Sequence, residues 1–499
     1  MQPDVIVACV DPIRARHYVA PELATNPIKT AMTKAGTAIR QHLRKPAARA
    51  VALVTAFAMT VGALPARAQS IPAGIPVVRD AEIEQLLRDY TQPVLRVAGL
   101  AKQNVQVVII NDRTFNAFVM DAHRIFVNAG AILDSKTPNE IIGVLAHETG
   151  HIAGGHLSRL RDQLAQAQTQ SIIAMMLGLG AMIAAARSGQ ANGNPAAAIL
   201  GPQEAIRRSL LSYQRSQEEQ ADRAGVKFLT ETGQSPKGMS ETFRRLADQM
   251  LYITHNADPY AQSHPMPAER VAALVTLART SPYWDKKDPP ELQQRHDLAR
   301  AKLSGFLDRR ETIARRYPAG DNSLPARYAR AIATYRHSDL RVAIVQIDAL
   351  IEAQPNNPYF HELKGQALLE GGKPREAIAP LRQAVKLAPS PALIQVLLAQ
   401  ALNATNDPKY ADEAVSLLRA ALAREPEMPE GFLQLAMAYG RKGDLAQADL
   451  ASAQSAFARG DFKTARELAS RAKTRFAVGS PGWVKADDIS SYKPPVVRN

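Results

Sequence analysis

His147-Glu148-Thr149-Gly150-His151 sets two imidazoles four residues apart, with a carboxylate beside the first. On a helix, four residues advance slightly more than one turn, so both imidazoles leave the same face. Two histidines so placed can hold one zinc ion, and Glu148 can act as general base toward a water at that metal. The chemistry would be metal-assisted hydrolysis, as in a metallopeptidase.

A catalytic zinc takes three protein ligands and keeps one position open. The next histidine, His156, stands one residue short of the spacing H-E-x-x-H-x-x-G-x-x-H, where Leu157 sits instead. At about 100° per residue, His156 falls roughly opposite His147 on a continuing helix. It is therefore read as structural or exposed. Glu218 and Asp222 are better placed: four apart, they share a helix face. Glu218 can complete a His/His/Glu site. Asp222 can accept a hydrogen bond from the free ring nitrogen of a ligand histidine, fixing its tautomer. Without the upstream motif, this stretch would read as an exposed charged helix.

These side chains need helices to carry them. Thr137-Pro138-Asn139-Glu140 has the form of a capping box with proline at the first helical position. Ile141, Ile142, Val144, Leu145 and Ile152 then suit a buried helix. A core helix with satisfied polar groups is the plainer alternative, but two histidines and a glutamate would be costly there if unpaired. Glu218 and Asp222 lie in a second helical pattern, from near Pro202 to just before Gly233. Upstream, residues 78–100 read as a helix. Val105–Ile110, Phe115–Met120 and Ile125–Asn128 read as strands, the last two joined by a tight turn. Asn116, Ala117 and Phe118 mark the strand expected to offer its edge to a substrate backbone.

Taken together, Asn116-Ala117-Phe118, Val144-Leu145-Ala146-His147-Glu148-Thr149-Gly150-His151, Glu218-Glu219-Gln220-Ala221-Asp222 and Ser263-His264-Pro265 with Arg270 occur in the order seen in one family. The chain resembles the metallopeptidase family of HtpX and the CAAX prenyl protease, all gluzincins. The resemblance spans roughly residues 78 to 480. It implies one Zn2+ per chain on His147, His151 and Glu218, with Glu148 as general base. It also implies a role for His264, either as an auxiliary zinc ligand in a latent state or as a transition-state donor, with Arg270 supporting it. Family members often carry a Gly-Gly turn after the Asn-Ala-Phe strand. Here Met120-Asp121-Ala122-His123-Arg124 stands in its place, which puts substrate preference in doubt but leaves the chemistry intact.

With 499 residues, the chain has room for more than one domain. Its formal charge is +14, and residues 1–68 hold nine basic and three acidic residues, leaving about +8 on the rest. No basic run alternates with aromatics, so nucleic acid is not an expected partner. Arg40, Arg44, Lys45 and Arg49 precede the apolar run Val51–Leu64, and Ala66-Arg67-Ala68 fits a signal cleavage site. The pattern points to Met32 as the true start. The only cysteine, Cys9, falls in the part expected to be removed, which excludes a cysteine nucleophile, a thiolate metal site and a disulfide from the mature protein. The expected location is the periplasm.

Ile172–Ala186 is almost wholly apolar and too short to span a bilayer reliably. It reads as a buried hairpin helix, a membrane-surface contact or a flap near the cleft. Beyond Pro318 the chain turns alanine-rich with an internal period: Pro355 and Pro389 stand 34 residues apart, with Gly365 and Ala377 at tetratricopeptide phases. Ala331 and Ala343 match one period earlier. Ala399, Ala414 and Pro426 match later, with three extra residues around Asp407-Pro408. A fourth unit begins at Ala436, Tyr439 and Ala448, and Phe457–Phe476 offers one more hairpin. Stacked hairpins of this kind curve into a groove suited to peptides or partner proteins.

The expected class is α+β, mostly α: a small-sheet gluzincin metalloprotease domain followed by an all-α solenoid. The expected divisions are an upstream extension and signal peptide (1–68), the protease (69–290), a bridging helix (291–317, from Leu292 to Arg316), the repeats (318–485) and a tail (486–499). The expected activity is endopeptidase action on polypeptide substrates, and the resemblance points to misassembled outer-membrane proteins and to their assembly machinery as a partner of the repeats. A repeat-based chaperone or assembly scaffold, with proteolysis secondary, is the competing reading.

Overall fold

The computed structural model describes residues 75–167, 195–252 and 264–494. The expected signal segment, the apolar run 172–186 and Ser263 lie outside the described residues. Among those described, no helix is long and apolar enough to cross a membrane.

Four strands form one sheet, β1 (Val77–Val78), β2 (Gln106–Ile110), β3 (Ala117–Asp121) and β4 (Arg124–Asn128), in the order β1-β2-β4-β3. β2 and β4 run parallel, whereas β3 and β4 form an antiparallel hairpin with Phe118 opposite Phe126. Those two rings stack at 5.4 Å between centroids. The hairpin closes without the expected glycines because the Asp121 carboxylate does the turn's work. It accepts the His123 backbone N–H at 2.8 Å and pairs with the Arg124 guanidinium. Among the described residues β3 ends the sheet, with one of its edges unpaired within it.

Behind the sheet stand α1 (Ala81–Val97), α2 (Ala129–Asp134) and α3 (Pro138–Gly154). α1 starts where the Asp80 side chain accepts the Ile83 N–H at 3.0 Å. α3 is buried continuously from Pro138 to His151. Its start differs from the expected capping box: Pro138 is at the first turn, but the Thr137 side chain makes no cap bond. Tertiary partners replace it. Glu140 accepts the Lys136 N–H at 3.3 Å and pairs with Arg245 at 2.7 Å. The Asn139 amide bridges the Ser235 carbonyl and the Gly238 N–H. α3 packs between α4 (Pro195–Glu231) and α5 (Lys237–Tyr252), and α6 (Ala268–Ala278) closes the bundle.

The single bridging helix expected from Leu292 to Arg316 is two helices, α7 (Pro290–Leu307) and α8 (Arg310–Arg316). The break falls at Asp308, whose backbone is extended. Its carboxylate accepts bonds from Ser304 and Arg113 and pairs with Arg316, so the kink is held from three sides.

The repeats are five antiparallel helix pairs: α9 (Leu324–His337) with α10 (Leu340–Ala353), α11 (Pro358–Glu370) with α12 (Pro374–Leu387), α13 (Ala392–Ala404) with α14 (Ala411–Arg424), α15 (Pro429–Arg441) with α16 (Leu445–Ala458), and α17 (Phe462–Lys473) with α18 (Pro481–Ser491). The last pair lies further along than the hairpin expected over Phe457–Phe476. The small residues at repeat phases mark close helix approaches. A Cβ on Gly365 would come within 2.3 Å of the Leu381 side chain, and Ala331, Ala343, Ala377, Ala399 and Ala414 are fully buried. The extra residues near Asp407-Pro408 are taken up by Asn406 in the left-handed region (φ 57°) and a short turn over Pro408–Tyr410.

The repeats and the sheet-bearing part share buried charges. Lys302 of α7 lies 2.8 Å from Asp80, 3.5 Å from Glu82 and 3.3 Å from Glu362, and the Tyr328 hydroxyl donates to Glu82 at 3.0 Å. Burial raises the Glu82 and Glu362 pKa values to about 7 against the pull of Lys302.

Candidate active site

Two helices and one loop build the site. α3 is mostly apolar and buried along its length, and His147, Glu148 and His151 project from its middle into the site. α4 crosses α3 closely because Gly150 has no side chain. A Cβ there would stand 2.9 Å from the Ala221 carbonyl oxygen. That crossing brings Glu218 and Asp222, on either side of Ala221, to the two histidines. The segment before α6 adds His264, and α6 itself supplies Arg270.

His147, His151, Glu218 and His264 are all buried, and one nitrogen or oxygen from each lies within 4.8 Å of the others. The Nε2 atoms of His147 and His151 are 3.0 Å apart. Glu218 oxygens are 3.4 Å from His147 Nε2 and 3.5 Å from His151 Nε2. His264 Nδ1 is 3.4 Å from His147 Nε2 and 3.0 Å from the Glu218 carboxylate. Four ligands at about 2.0–2.1 Å on a tetrahedral metal sit about 3.4 Å from one another, close to these separations. Imidazole with carboxylate suits zinc better than magnesium or calcium, which prefer all-oxygen sets.

The surroundings favour a cation on a second count. His147 Nδ1 lies 3.0 Å from Asp222 Oδ1, and His151 Nδ1 lies 3.0 Å from His156 Nδ1. If each Nδ1 carries the proton, both Nε2 lone pairs point at each other across 3.0 Å. Such lone pairs repel unless a proton or a metal ion stands between them.

Arg270 anchors the acidic side. Its Nε and Nη2 donate to the two Asp222 oxygens at 2.7 and 2.8 Å, and Nη1 lies 3.0 Å from Glu218 and donates to the Pro265 carbonyl at 2.9 Å. Burial alone would raise the carboxylate pKa values. His264 and His147 outweigh it at Glu218, and Arg270 with His147 does so at Asp222, so both are held below the usual range. Burial opposes a charged His147, but hydrogen bonds to Asp222 and Glu218 raise its pKa to about 9 in the metal-free protein. His151 is pushed well below its ordinary value by burial and by His147 beside it. Glu148 is fully buried, with Oε1 3.4 Å from His264 Nε2.

Every residue expected to bind metal or to stand behind a ligand converges here: His147, Glu148, His151, Glu218, Asp222, His264 and Arg270. Ala117 and Phe118 lie on the edge strand β3, and Asn116 directly precedes it, its carbonyl accepting the Asn128 N–H at 2.8 Å. His156 is structural rather than exposed, as one of the two expected alternatives had it, but it does not sit on a continuing helix. α3 does not continue through it but stops at Gly155, in the left-handed region (φ 62°). Helix resumes at His156, which is buried against His151 on the side of the ring away from the cluster. Two more neighbours escaped sequence reasoning. Phe243 meets His147 edge-on at 5.2 Å and lies beneath the Arg270 guanidinium at 5.7 Å. Gln217 donates to the His156 carbonyl at 3.2 Å. Gly154-Gly155 was a readable signal for His156, whereas Phe243 and Gln217 depend on helix crossings that no local pattern announces.

The sequence profile of peptidase family M48 matches residues 79–278, which include the whole cluster. Tetratricopeptide repeat profiles match residues 328–392 and 364–411. The chain is similar to the beta-barrel assembly-enhancing protease of Yersinia pestis, 24% identical over 415 residues and 82% of each chain. It is also similar to the protein of that name from Escherichia coli K12, 25% identical over 425 residues, 81% of this chain and 82% of that one. The metalloprotease LoiP of Escherichia coli K12 is 28% identical over 190 residues, 36% of this chain and 68% of that one.

Proposed function

We propose that this chain, a peptidase of family M48 followed by tetratricopeptide repeats, is a zinc-dependent endopeptidase of the periplasm that acts on misfolded or misassembled outer-membrane proteins. The observation that carries the reading is the convergence of three imidazoles and one carboxylate within 4.8 Å, beside the buried Glu148.

Zinc, when bound by His147, His151 and Glu218, would supply a Lewis acid that polarises the scissile carbonyl and brings the pKa of water to about 7. Glu148 takes the proton of the attacking water and passes it to the leaving amine. Asp222 holds the Nδ1 proton of His147, and Arg270 holds Asp222 and the Glu218 carboxylate in place. The free edge of β3, entered at Asn116, Ala117 and Phe118, receives the substrate as an added strand, so affinity comes mainly from backbone hydrogen bonds. His264 fills the remaining position of the cluster, with its other nitrogen toward Glu148. On this reading the site is latent and gives up His264 before a carbonyl enters; the other role open to His264 is that of a transition-state donor.

The periplasmic location is supported by the export-like pattern ending at Ala66-Arg67-Ala68. The substrate class is supported by the assembly role stated in the names of the Yersinia and Escherichia relatives. The solenoid is the natural surface for assembly machinery, and Ile172–Ala186 for the membrane surface. Trapping on the Glu148→Gln chain in cells tests the substrate class: outer-membrane β-barrel precursors should be enriched over wild type. Enrichment of other proteins alone would refute that class. Full rescue of a deletion strain by Glu148→Gln would favour the scaffold reading instead.

A further inference from the structure

The two motif histidines are held from behind in different ways. His147 has a carboxylate at its Nδ1, Asp222 Oδ1 at 3.0 Å. His151 has a second imidazole, His156 Nδ1 at 3.0 Å, with the rings edge to face at 85° and their centroids 5.0 Å apart.

Three consecutive residues make this contact. Gly155, at φ 62°, ends α3 in a conformation that side-chain-bearing residues rarely adopt. Gly154 leaves open the space that the His156 ring fills. A Cβ on Gly154 would lie 2.3 Å from His156 Nε2 and 2.6 Å from its Cδ2. His156 itself is 3% exposed, and its carbonyl receives the Gln217 amide at 3.2 Å, one residue before Glu218. The turn is thus tied to both the second metal-binding histidine and the helix that brings the carboxylate.

We propose that His156 is a positioning residue, accepting the Nδ1 proton of His151 so that the Nε2 lone pair of His151 is fixed toward the metal-binding cluster. For this, His156 carries its own proton on Nε2, and Gly154-Gly155 exists to seat its ring. The inference rests on the zinc reading above. It predicts an uneven pair of ligands: a histidine backed by a carboxylate is a stronger donor than one backed by a neutral ring.

The test compares the full-length chain with His156→Leu, His156→Asn and Gly154→Ala. It measures zinc retention against a competing chelator, with thermal unfolding of the metal-free forms as a control for folding. His156→Leu should lose zinc affinity by about 10- to 100-fold. His156→Asn, whose side-chain oxygen can accept the same proton, should recover most of that loss. Gly154→Ala, which evicts the ring without removing it, should resemble His156→Leu. In the metal-free wild type, imidazole nitrogen shifts should place the His151 proton on Nδ1. A His156→Leu chain that holds zinc as tightly as wild type would overturn the proposal. So would equal losses in the Leu and Asn variants, which would leave His156 a space-filler. A wild-type chain that holds no zinc would instead overturn the underlying reading.

Discussion

Asp222 of α4 and Arg270 of α6 meet in a two-pronged pair at 2.7 and 2.8 Å, with both side chains buried. Asp222 stands behind His147, and Arg270 also reaches Glu218 at 3.0 Å, so the pair touches the site at two points. Asp222→Asn should keep the fold, since one oxygen still accepts from Arg270, but should lower zinc affinity by about 10- to 100-fold. Arg270→Met leaves two buried carboxylates without their cation and should cost about 3–5 kcal/mol of stability. Chelator competition reads the first effect and denaturant unfolding the second. The reverse ranking, with stability lost in Asp222→Asn and affinity in neither, would contradict these roles.

His264 turns one ring nitrogen to His147 and Glu218 and the other to Glu148. Removing it should open the site. His264→Ala should retain zinc and cleave an unstructured polypeptide several-fold faster than wild type. A fall in kcat instead would make His264 a transition-state donor.

Gly150 lets α4 cross α3 at the level of the cluster. An added methyl would meet backbone, the Ala221 oxygen at 2.9 Å and its Cα at 3.0 Å, which cannot rotate away. Gly150→Ala should therefore separate the two helices, costing about 1–3 kcal/mol by overpacking and weakening zinc binding as well. Gly440→Ala, where a Cβ meets nothing within 4 Å, is the matched control and should leave both unchanged.

His296 of α7 links the helices far from the site. Tyr90 donates to its Nδ1 at 3.1 Å, and its Nε2–H donates to the Ser135 carbonyl at 2.9 Å, which satisfies a neutral ring. Burial, partly offset by the bond to Ser135, lowers its pKa to about 4. The unfolded chain takes up this proton near pH 6.5, so the contribution to stability is complete above that pH and is lost as pH falls toward 4. Between pH 7 and 5 the loss should be roughly 2 kcal/mol. Denaturant unfolding at the two pH values should show it in wild type and a smaller loss in His296→Gln. Equal losses would show that His296 is not buried neutral.

Most of this site could be read from spacing. Four-residue intervals in His147/His151 and Glu218/Asp222 specify shared helix faces whatever the rest of the fold does. The repeat phases were legible for the same reason, because each fixes a contact within one helix hairpin. What escaped depends on chain reversals and on side chains from distant elements. His156 lies off the line of α3 because the helix ends at Gly154, an end that the Gly154-Gly155 pair announces. Thr137 and Glu140 matched a capping pattern, but Lys136 and Arg245 took up the glutamate. Asp308 broke the bridging helix because Ser304, Arg113 and Arg316 converge on it. Phe243 carries no local signal at all.

The claim that Glu148 performs proton transfer at a zinc site is tested most directly by purified Glu148→Gln, assayed beside wild type for bound zinc and for cleavage of an unfolded outer-membrane protein. Glu148 sits outside the ligand set, so the variant should hold one zinc per chain with wild-type affinity and lose cleavage by at least about a hundredfold. Cleavage at the wild-type rate with zinc in place would contradict the account.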